Sequence, residues 1–280
     1  LSGLNKMGRF LLALLLFSCL LIAGEQKIWG SHSAYIMPTK TWSVGIFQPF
    51  RYGLSDNLET SFHPGWFFIV PNASFKMPLS DMGSFKAATR VSLVYPTPLL
   101  NMISREGIGG LIDPNLTTPP MLGVSSSLLL SKEVFGINTT SKLGVDIGLV
   151  MGELDTRSNI DLPIVYHRLE VFHNKWGLHA GLDLVKDVTN DLGLFLDLDL
   201  RLLPDFDKDN GGQEYSMHSG DYSIEHKLFA VWKRSNRFRV LVGYKLVTGD
   251  FPYGKQTRLL PYIPMLEKWA PIIEMQWAKF

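Results

Sequence analysis

The stretch LGLFLDLDLRL at residues 192–202 decides the fold. Every second residue in it is leucine, and the residues between are glycine, phenylalanine, aspartate and arginine. Successive side chains of a β-strand point to opposite faces. A strand over 192–202 therefore has one wholly apolar face and one face that carries charge, which predicts a strand separating two very different environments.

The same alternation recurs at 142–151, 176–184, 222–233 and 237–246. These segments are about as long as the 9–11 residues that a tilted transmembrane strand requires. Aromatic residues stand at the strand ends, where they would form girdles at the two membrane interfaces. They are Trp176, Tyr222, Trp232, Phe238 and Trp277. The pattern predicts an all-β transmembrane barrel with its apolar face towards lipid.

Twelve strands fit the sequence, arranged as a closed antiparallel up-and-down barrel. They are predicted at 31–37, 41–54, 57–70, 72–80, 84–97, 121–135, 140–152, 166–187, 190–204, 221–234, 236–249 and 267–280. Short connections alternate with long ones, and the long ones (98–120, 153–165, 205–220 and 250–266) all fall on one side. Bacterial barrels have short periplasmic turns and longer extracellular loops. Region 162–187 also fits an extra hairpin, so ten to fourteen strands are compatible with the sequence.

The first residues predict export. Lys6 and Arg9 precede an apolar run over 10–23, which is the length of a secretory signal core and too short for a spanning helix. We expect residues 1–24 to be a cleaved signal peptide and 25–280 to be one barrel domain. Residues 1–6 would then lie upstream of a true start at Met7. An uncleaved anchor is the alternative.

Composition excludes several functions. The chain has 27 basic and 26 acidic residues and no basic cluster, which argues against a nucleic-acid partner. Its one cysteine, Cys19, lies in the predicted signal core. The domain over 25–280 thus has no disulfide or thiol chemistry. Whether Cys19 is lipidated is left open.

Three stretches carry a resemblance to a known class: FQPFRYG at 47–53, YPTPLL at 95–100 and GYKLVTG at 243–249. They resemble uncharacterised β-barrel proteins of the Gram-negative outer membrane, and Phe280 resembles the terminal phenylalanine of that class. The resemblance implies a bacterial outer-membrane location and contact with outer-membrane lipid and lipopolysaccharide. It also implies insertion by the barrel-assembly machinery, and it names no activity or cofactor.

The charged strand faces would meet inside the barrel, where opposite charges can tune the selectivity of a pore. This predicts a channel or transporter for small solutes. The candidate lumen residues are Arg90, Asp146, Asp183, Asp197, Asp199, Arg201, Glu225, Lys227, Arg239 and Lys245. Balanced charges can equally pair and fill a barrel of this size. A non-conducting structural or partner-binding barrel is therefore the alternative.

Two loops contain residues that could form a constriction or a cation site. Arg105 and Glu106 begin a glycine-rich stretch of 98–120 that would form a constriction if it folded inwards; a surface loop is the plainer interpretation. The acidic residues of 205–220 resemble the start of a calcium loop but lack its helix and its final glutamate. We expect a solvated loop and no metal site.

An enzyme is the third class. Ser216 and His218 are close in sequence, but no third residue at a suitable spacing completes a hydrolase triad. We expect no catalytic activity; a lipid-modifying enzyme acting through this pair is the alternative.

Overall fold

A computed structural model of the chain describes residues 29–105, 114–115, 118–155, 170–202, 222–251, 254–258 and 271–280. The predicted signal peptide, Glu106 and the whole acidic loop 205–220, with its Ser216–His218 pair, lie outside the described residues. Within the described part, the chain forms a closed, all-antiparallel barrel with twelve strand positions around its wall. The predicted all-β barrel of about twelve strands is thus confirmed.

The described residues form thirteen strands, because two of them share one position in the wall. They are β1 Trp42–Gly45, β2 Phe50–Ser55, β3 Leu58–Phe62, β4 Asn72–Pro78, β5 Lys86–Val94, β6 Met121–Val134, β7 Ile137–Val150, β8 Trp176–Asp187, β9 Leu192–Leu202, β10 Tyr222–Ser235, β11 Phe238–Phe251, β12 Gly254–Arg258 and β13 Pro271–Lys279. Strands β12 and β13 both pair with β11, at different heights. The barrel closes where β1 pairs with β13, from Trp42 opposite Lys279 to Gly45 opposite Gln276.

The two ends of the barrel differ. Five short turns join β2 to β3, β4 to β5, β6 to β7, β8 to β9 and β10 to β11. We call this the turn end, and the opposite end the connection end. Both Trp42 and Lys279 lie towards the turn end, as the prediction of short turns at the side of the termini requires. The wall is uneven, since β6, β7, β10 and β11 have fourteen residues each while β1 has four and β3 five.

The exterior carries the apolar side chains. Leu192, Leu194 and Leu202 on β9 are each between 44% and 48% exposed, although leucine is ordinarily buried in a folded protein. Exposed apolar residues continue around the wall: Leu143, Ile147, Leu149, Leu178, Ile224, Val242, Ile273 and Met275. Exposed tryptophans stand near the strand ends, with Trp176 at the connection end and Trp232 and Trp277 at the turn end. This belt with aromatic borders matches a lipid-facing surface.

Two of the predicted strands are wrong, and the errors cancel in the count. Residues 31–37 form no strand but run inside the barrel. The predicted strand at 41–54 is two strands, β1 and β2, joined by a tight turn in which the backbone N–H of Gly45 donates to the carbonyl of Gln48. Glu274 on β13 holds this turn, because its carboxylate accepts the backbone N–H groups of Phe47 and Gln48. That partner is more than 200 residues away, so the local pattern does not reveal the turn.

Two short helices follow or precede strands at the connection end: α1, Thr97–Ile103, and α2, Glu170–Asn174. The second lies within the region 162–187, where an extra hairpin was the alternative; residues 162–169 lie outside the described residues. The apolar side chains of the two helices pack with inward-facing residues of the wall into one buried cluster. It comprises Val70, Val94, Leu99, Leu100, Ile103, Met121, Val171 and Phe172. We call it the apolar cap. No helix among the described residues is long and apolar enough to cross a membrane.

The lipid-facing assignment of β9 predicts a depth-dependent cost of charge. Leu198→Arg, at the strand centre, should lower the free energy of unfolding in lipid by about 2–4 kcal/mol, and Leu202→Arg, at the strand end, by about 0–1 kcal/mol. Urea unfolding of vesicle-reconstituted protein measures both. Leu198→Ala controls for the loss of apolar area. Equal costs at the two positions would contradict a membrane-facing exterior.

Candidate functional site in the barrel interior

The inside of the barrel holds a stretch of the chain's own N-terminal region. We call residues 29–40 the interior segment. It begins near the turn end, where the ring of Trp29 meets that of Phe280 edge to face at 5.1 Å. It leaves beside β2, where the backbone N–H of Lys40 donates to the carbonyl of Gly53 at 2.8 Å. A Cβ atom at Gly53 would overlap the carbonyl oxygens of Met37 and Pro38, so glycine allows the segment to lie directly against the wall.

Three wall residues, Arg51, Glu59 and Lys76, hydrogen-bond the backbone of this segment. Glu59 receives the guanidinium of Arg51 at 2.8 Å and the ammonium of Lys76 at 3.1 Å, and all three are almost fully buried. The Lys76 ammonium also donates to the carbonyls of Ser31, Ser33 and Tyr35, at 2.9–3.5 Å. Residues 31–34 form turns and bends, with the backbone N–H of Ser33 donating to the carbonyl of Gly30 at 3.3 Å. The segment therefore wraps a single ammonium with three carbonyl dipoles.

Further polar contacts hold the segment on other strands. The carbonyl of Trp29 accepts from Arg51 at 3.1 Å, and Glu59 accepts the backbone N–H of Met37 at 3.0 Å. Across the lumen, the backbone N–H of Ala34 donates to the hydroxyl of Ser131 at 2.8 Å. The segment thus bridges β2, β3, β4 and β6. Its anchorage is mainly by hydrogen bonds rather than by apolar packing.

The segment also meets two wall arginines that lack a carboxylate partner among the described residues. Arg90 on β5 lies 3.2 Å from the imidazole Nδ1 of His32. Arg239 on β11 stacks its guanidinium over the indole of Trp29, 4.5 Å from the ring centre. Burial lowers the pKa of His32 well below its ordinary value, and Arg90, the nearest cation, lowers it further. His32 is therefore neutral in this position at physiological pH.

On the opposite wall, one lysine gathers three carboxylates. The Lys142 ammonium on β7 lies 2.7 Å from oxygens of Asp183, Asp197 and Asp199. Gly181 on β8 lies directly between Lys142 on β7 and Asp199 on β9, and a Cβ atom at Gly181 would overlap both side chains. Its lack of a side chain lets the ammonium reach the third carboxylate.

The network extends from this centre to β10 and β11. Lys227 lies 2.6 Å from Asp197, and Lys245 lies 3.0 Å from Glu225. Three of these partners are directly opposite in register: Asp183 with Asp197, and Asp197 with Lys227. The inward faces of β7–β11 therefore carry a chain of alternating charges. We call it the charge network.

A second polar cluster contains a serine, a histidine and an aspartate. Ser127 Oγ lies 2.9 Å from His179 Nε2, and His179 Nδ1 lies 3.2 Å from Asp146. This order matches a hydrolase triad. Asp146 is, however, also bound by Arg201 at 2.9 Å, while Ser127 is buried and does not line the cavity described next. The three residues form a buried, hydrogen-bonded group in the barrel wall.

A cavity of about 540 Å³ remains between the interior segment and the wall of β8–β13. Its lining includes Lys132 and Asn138, close to the turn end, and His63 and Trp66 in the connection between β3 and β4. The cavity is thus lined by residues near both ends of the barrel. Burial lowers the pKa of His63 below its ordinary value.

All ten predicted lumen residues point inwards in the structure. Eight of them meet around the charge network and Asp146, while Arg90 and Arg239 stand apart against the interior segment. Sequence reasoning omitted Arg51, Lys76 and Lys142 from the site. Lys142 could have been found, because it continues the polar face of 142–151. Arg51 and Lys76 lie on short strands whose alternation is weak.

The constriction predicted at Arg105 and Glu106 is placed only in part. Arg105 is exposed, just beyond the end of α1, and Glu106 lies outside the described residues. The inward-packing part of this connection is instead α1. Among the described residues, no group of three or more histidine, cysteine or acidic side chains is arranged to hold a metal ion.

The fold and its two surfaces define a class: a transmembrane β-barrel of the outer-membrane type, apolar outside and charged inside. No protein-family model and no curated protein matches the chain. Among solved structures, it is similar to an outer membrane channel from Pseudomonas putida F1, with a TM-score of 0.47 and 10% identity over 89% of this chain and 98% of that one. It is also similar to the outer membrane channel DcaP of Acinetobacter baumannii, with a TM-score of 0.39 and 10% identity over 85% and 62%. At these TM-scores, the likeness carries no information on function.

Removal of the central ammonium should destabilise the barrel. Lys142→Met leaves three neighbouring carboxylates uncompensated, and breaking a buried ion pair in this way costs about 3–5 kcal/mol of unfolding free energy. Urea unfolding of the folded barrel measures the loss. Adding Asp199→Asn should restore part of it.

The matched control is Lys86→Met. Lys86 pairs with Asp81 at 2.6 Å, but both side chains are at least half exposed. Such a pair contributes about 0–1 kcal/mol. Equal losses in the two lysine variants would contradict the role of Lys142 as the centre of the charge network.

Proposed function

We propose that the protein is a channel of the bacterial outer membrane that admits small solutes through its charged lumen. In this proposal the interior segment narrows the lumen and must shift for solute to pass. The observation that carries the proposal is the cavity, whose lining includes residues near both ends of the barrel. A barrel serving only as a membrane scaffold has no need of such a cavity.

The way the interior segment is held supports its movement. Its contacts with Lys76, Arg51, Ser131 and Arg90 are hydrogen bonds that water can replace. Each hydrogen bond to a charged donor contributes about 1.5–3 kcal/mol and each neutral one about 0.5–1.5 kcal/mol, because release exchanges them for bonds to water. A few such bonds can break and reform without unfolding the wall.

A second candidate function is a non-conducting barrel whose loops bind a partner. The apolar cap supports it, since α1 and α2 fill part of the connection end with buried side chains. The cap lies on the β3–β8 side, however, and none of its residues lines the cavity. Among the described residues, the cap therefore does not fill the cavity, which favours the channel.

A reversible lock tests the channel. Ala34→Cys with Ser131→Cys, in a Cys19→Ser background, places two thiols on neighbouring residues. In the native chain the backbone N–H of Ala34 lies 2.8 Å from the Ser131 hydroxyl. Oxidation should fix the segment to β6 and lower the conductance in planar bilayers, and a reductant should restore it. Each single cysteine variant is the control and should not respond. A folded barrel that is silent at every voltage in both redox states would contradict the channel and favour the second candidate.

Acid should loosen the interior segment. His32 has a depressed pKa in its buried site and would regain an ordinary value of about 6.5 when released. The released state then binds more protons, so the docked state loses stability as the pH falls below about 6.5, by up to about 1.4 kcal/mol per pH unit. The groups that act on His32 are Arg90, Lys142 and Lys227, which disfavour its charge, and Asp197, which favours it.

Conductance measured between pH 7 and pH 5 should accordingly rise in the wild type. His32→Gln keeps an acceptor for Arg90 but cannot titrate, so its conductance should lose this rise. His226→Gln is the control, because His226 packs beside Tyr244 on the outer face of β10 and β11 and not against the segment. A rise of the same size in His32→Gln would show that other groups cause it.

A further inference from the structure

We infer that the cavity binds a small amphipathic carboxylate, with the carboxylate on Arg239 and the apolar body against the inner faces of β9, β10, β11 and β13. This deepens the proposed channel function, since it names the chemical class of its solute. The site itself needs only the cavity and can be tested without transport.

The inner wall at this place is apolar, which is unusual for the lumen of a membrane barrel. Five side chains form a patch that lines the cavity: Phe195, Phe229, Val231, Leu241 and Ile272. We call it the apolar wall. The rings of Phe195 and Phe229 are stacked, 6.2 Å apart and inclined by 16°. When a ligand covers apolar surface that faced water, the free energy of binding becomes more favourable by about 25 cal/mol per Å².

Arg239 stands next to the apolar wall, two residues before Leu241 on the same inward face of β11. It lines the cavity and is 8% exposed. Its Nε donates to Gln276 at 2.6 Å, and Trp29 covers one face of the guanidinium. No carboxylate lies within 4.0 Å of it in the described part of the chain. The two terminal nitrogens, which bind a carboxylate in paired fashion in many proteins, have no side-chain partner among these residues.

The other charged groups of the cavity are already engaged. Lys227 pairs with Asp197, Lys245 with Glu225, and Asp183 with Lys142. Glu274, the acidic residue nearest in register to Arg239, accepts two backbone N–H groups from the turn between β1 and β2. Lys132 on β6 also lines the cavity, and its ammonium lies over the ring of Phe85, 5.2 Å from the ring centre. Among the described residues, Arg239 is thus the lining cation next to the apolar wall that an external anion meets without displacing a carboxylate.

The geometry fixes the class of ligand. A cationic anchor at one end of an apolar wall suits a molecule with one carboxylate and a short hydrocarbon or aromatic body. The volume of about 540 Å³ falls within the range of about 300–1,000 Å³ typical of small-molecule sites. Larger solutes would require the interior segment to withdraw.

Isothermal titration of the folded barrel in lipid nanodiscs tests the site, with phenylacetate as the probe. The wild type should bind phenylacetate at least about 10-fold more tightly than the neutral 2-phenylethanol, since a hydrogen bond to a charged group contributes about 1.5–3 kcal/mol. The cation 2-phenylethylammonium should bind no better than the alcohol. This comparison needs no variant, so it holds even if a substitution unfolds the barrel.

Arg239→Gln should lower phenylacetate affinity by about 10-fold or more, and Arg239→Lys should lower it less. Lys233→Gln is the matched control, because Lys233 lies directly opposite Arg239 in register, pairs with Asp187 and does not line the cavity. Phe229→Ala should weaken the acid and the alcohol alike. Equal binding of the acid and the alcohol, or an unchanged affinity in Arg239→Gln, would overturn the proposal.

The same protein in a planar bilayer separates this proposal from the channel. Binding of phenylacetate to a barrel that never conducts would retain the site and overturn the channel. Conductance without phenylacetate binding would overturn the site alone.

Discussion

The structure depends on the need to hydrogen-bond every backbone amide that faces lipid. An unsatisfied amide in hydrocarbon costs several kcal/mol, so a sheet that spans a membrane must close on itself. Here closure is made by the four residues of β1 against β13. Because β1 is so short, the tight turn after it and the carboxylate of Glu274 are part of the closure, and they continue the seam beyond Gly45 towards the connection end.

Closure in turn decides the composition of the interior. With one face of each strand given to lipid, the charges must lie on the other, where they are shielded from bulk water and need close partners. The barrel meets this need in two ways. On β7–β10, the charges come from the wall itself and neutralise each other around Lys142. On β2–β5, the cations of the wall outnumber its acids, and the interior segment supplies the missing partners as carbonyl oxygens and an imidazole.

The sequence was sufficient to predict most strands of the wall, but it was insufficient to predict the segment that lies inside the barrel. The leucine alternation at 192–202 depends only on which environment each face meets, so it predicted the exterior, the inward charges and the side of the short turns. Residues 31–37 were predicted as a strand because they mix polar and apolar side chains, as an edge strand also does, whereas 31–34 form turns and bends. An interior segment differs from an edge strand in the residues that it contacts. Here those residues include Lys76 and Ser131, which are 40 to 100 residues away in the chain. The turn between β1 and β2 escaped for the same reason, because Glu274 stabilises it across the seam.

The asymmetry between the two walls has a consequence for solutes. Residues 29–39 contain no aspartate or glutamate, so the interior segment meets the wall cations with dipoles and an aromatic face alone. A hydrogen bond between two ions is roughly twice as strong as one between neutral groups. A carboxylate entering on this side therefore offers Arg239 and Arg90 a better partner than the segment does, whereas a cation entering on the other side would have to replace Lys142 among three carboxylates already in contact with it. In the proposed channel, exchange should therefore be easier for anions than for cations, although the chain as a whole has no excess of either charge.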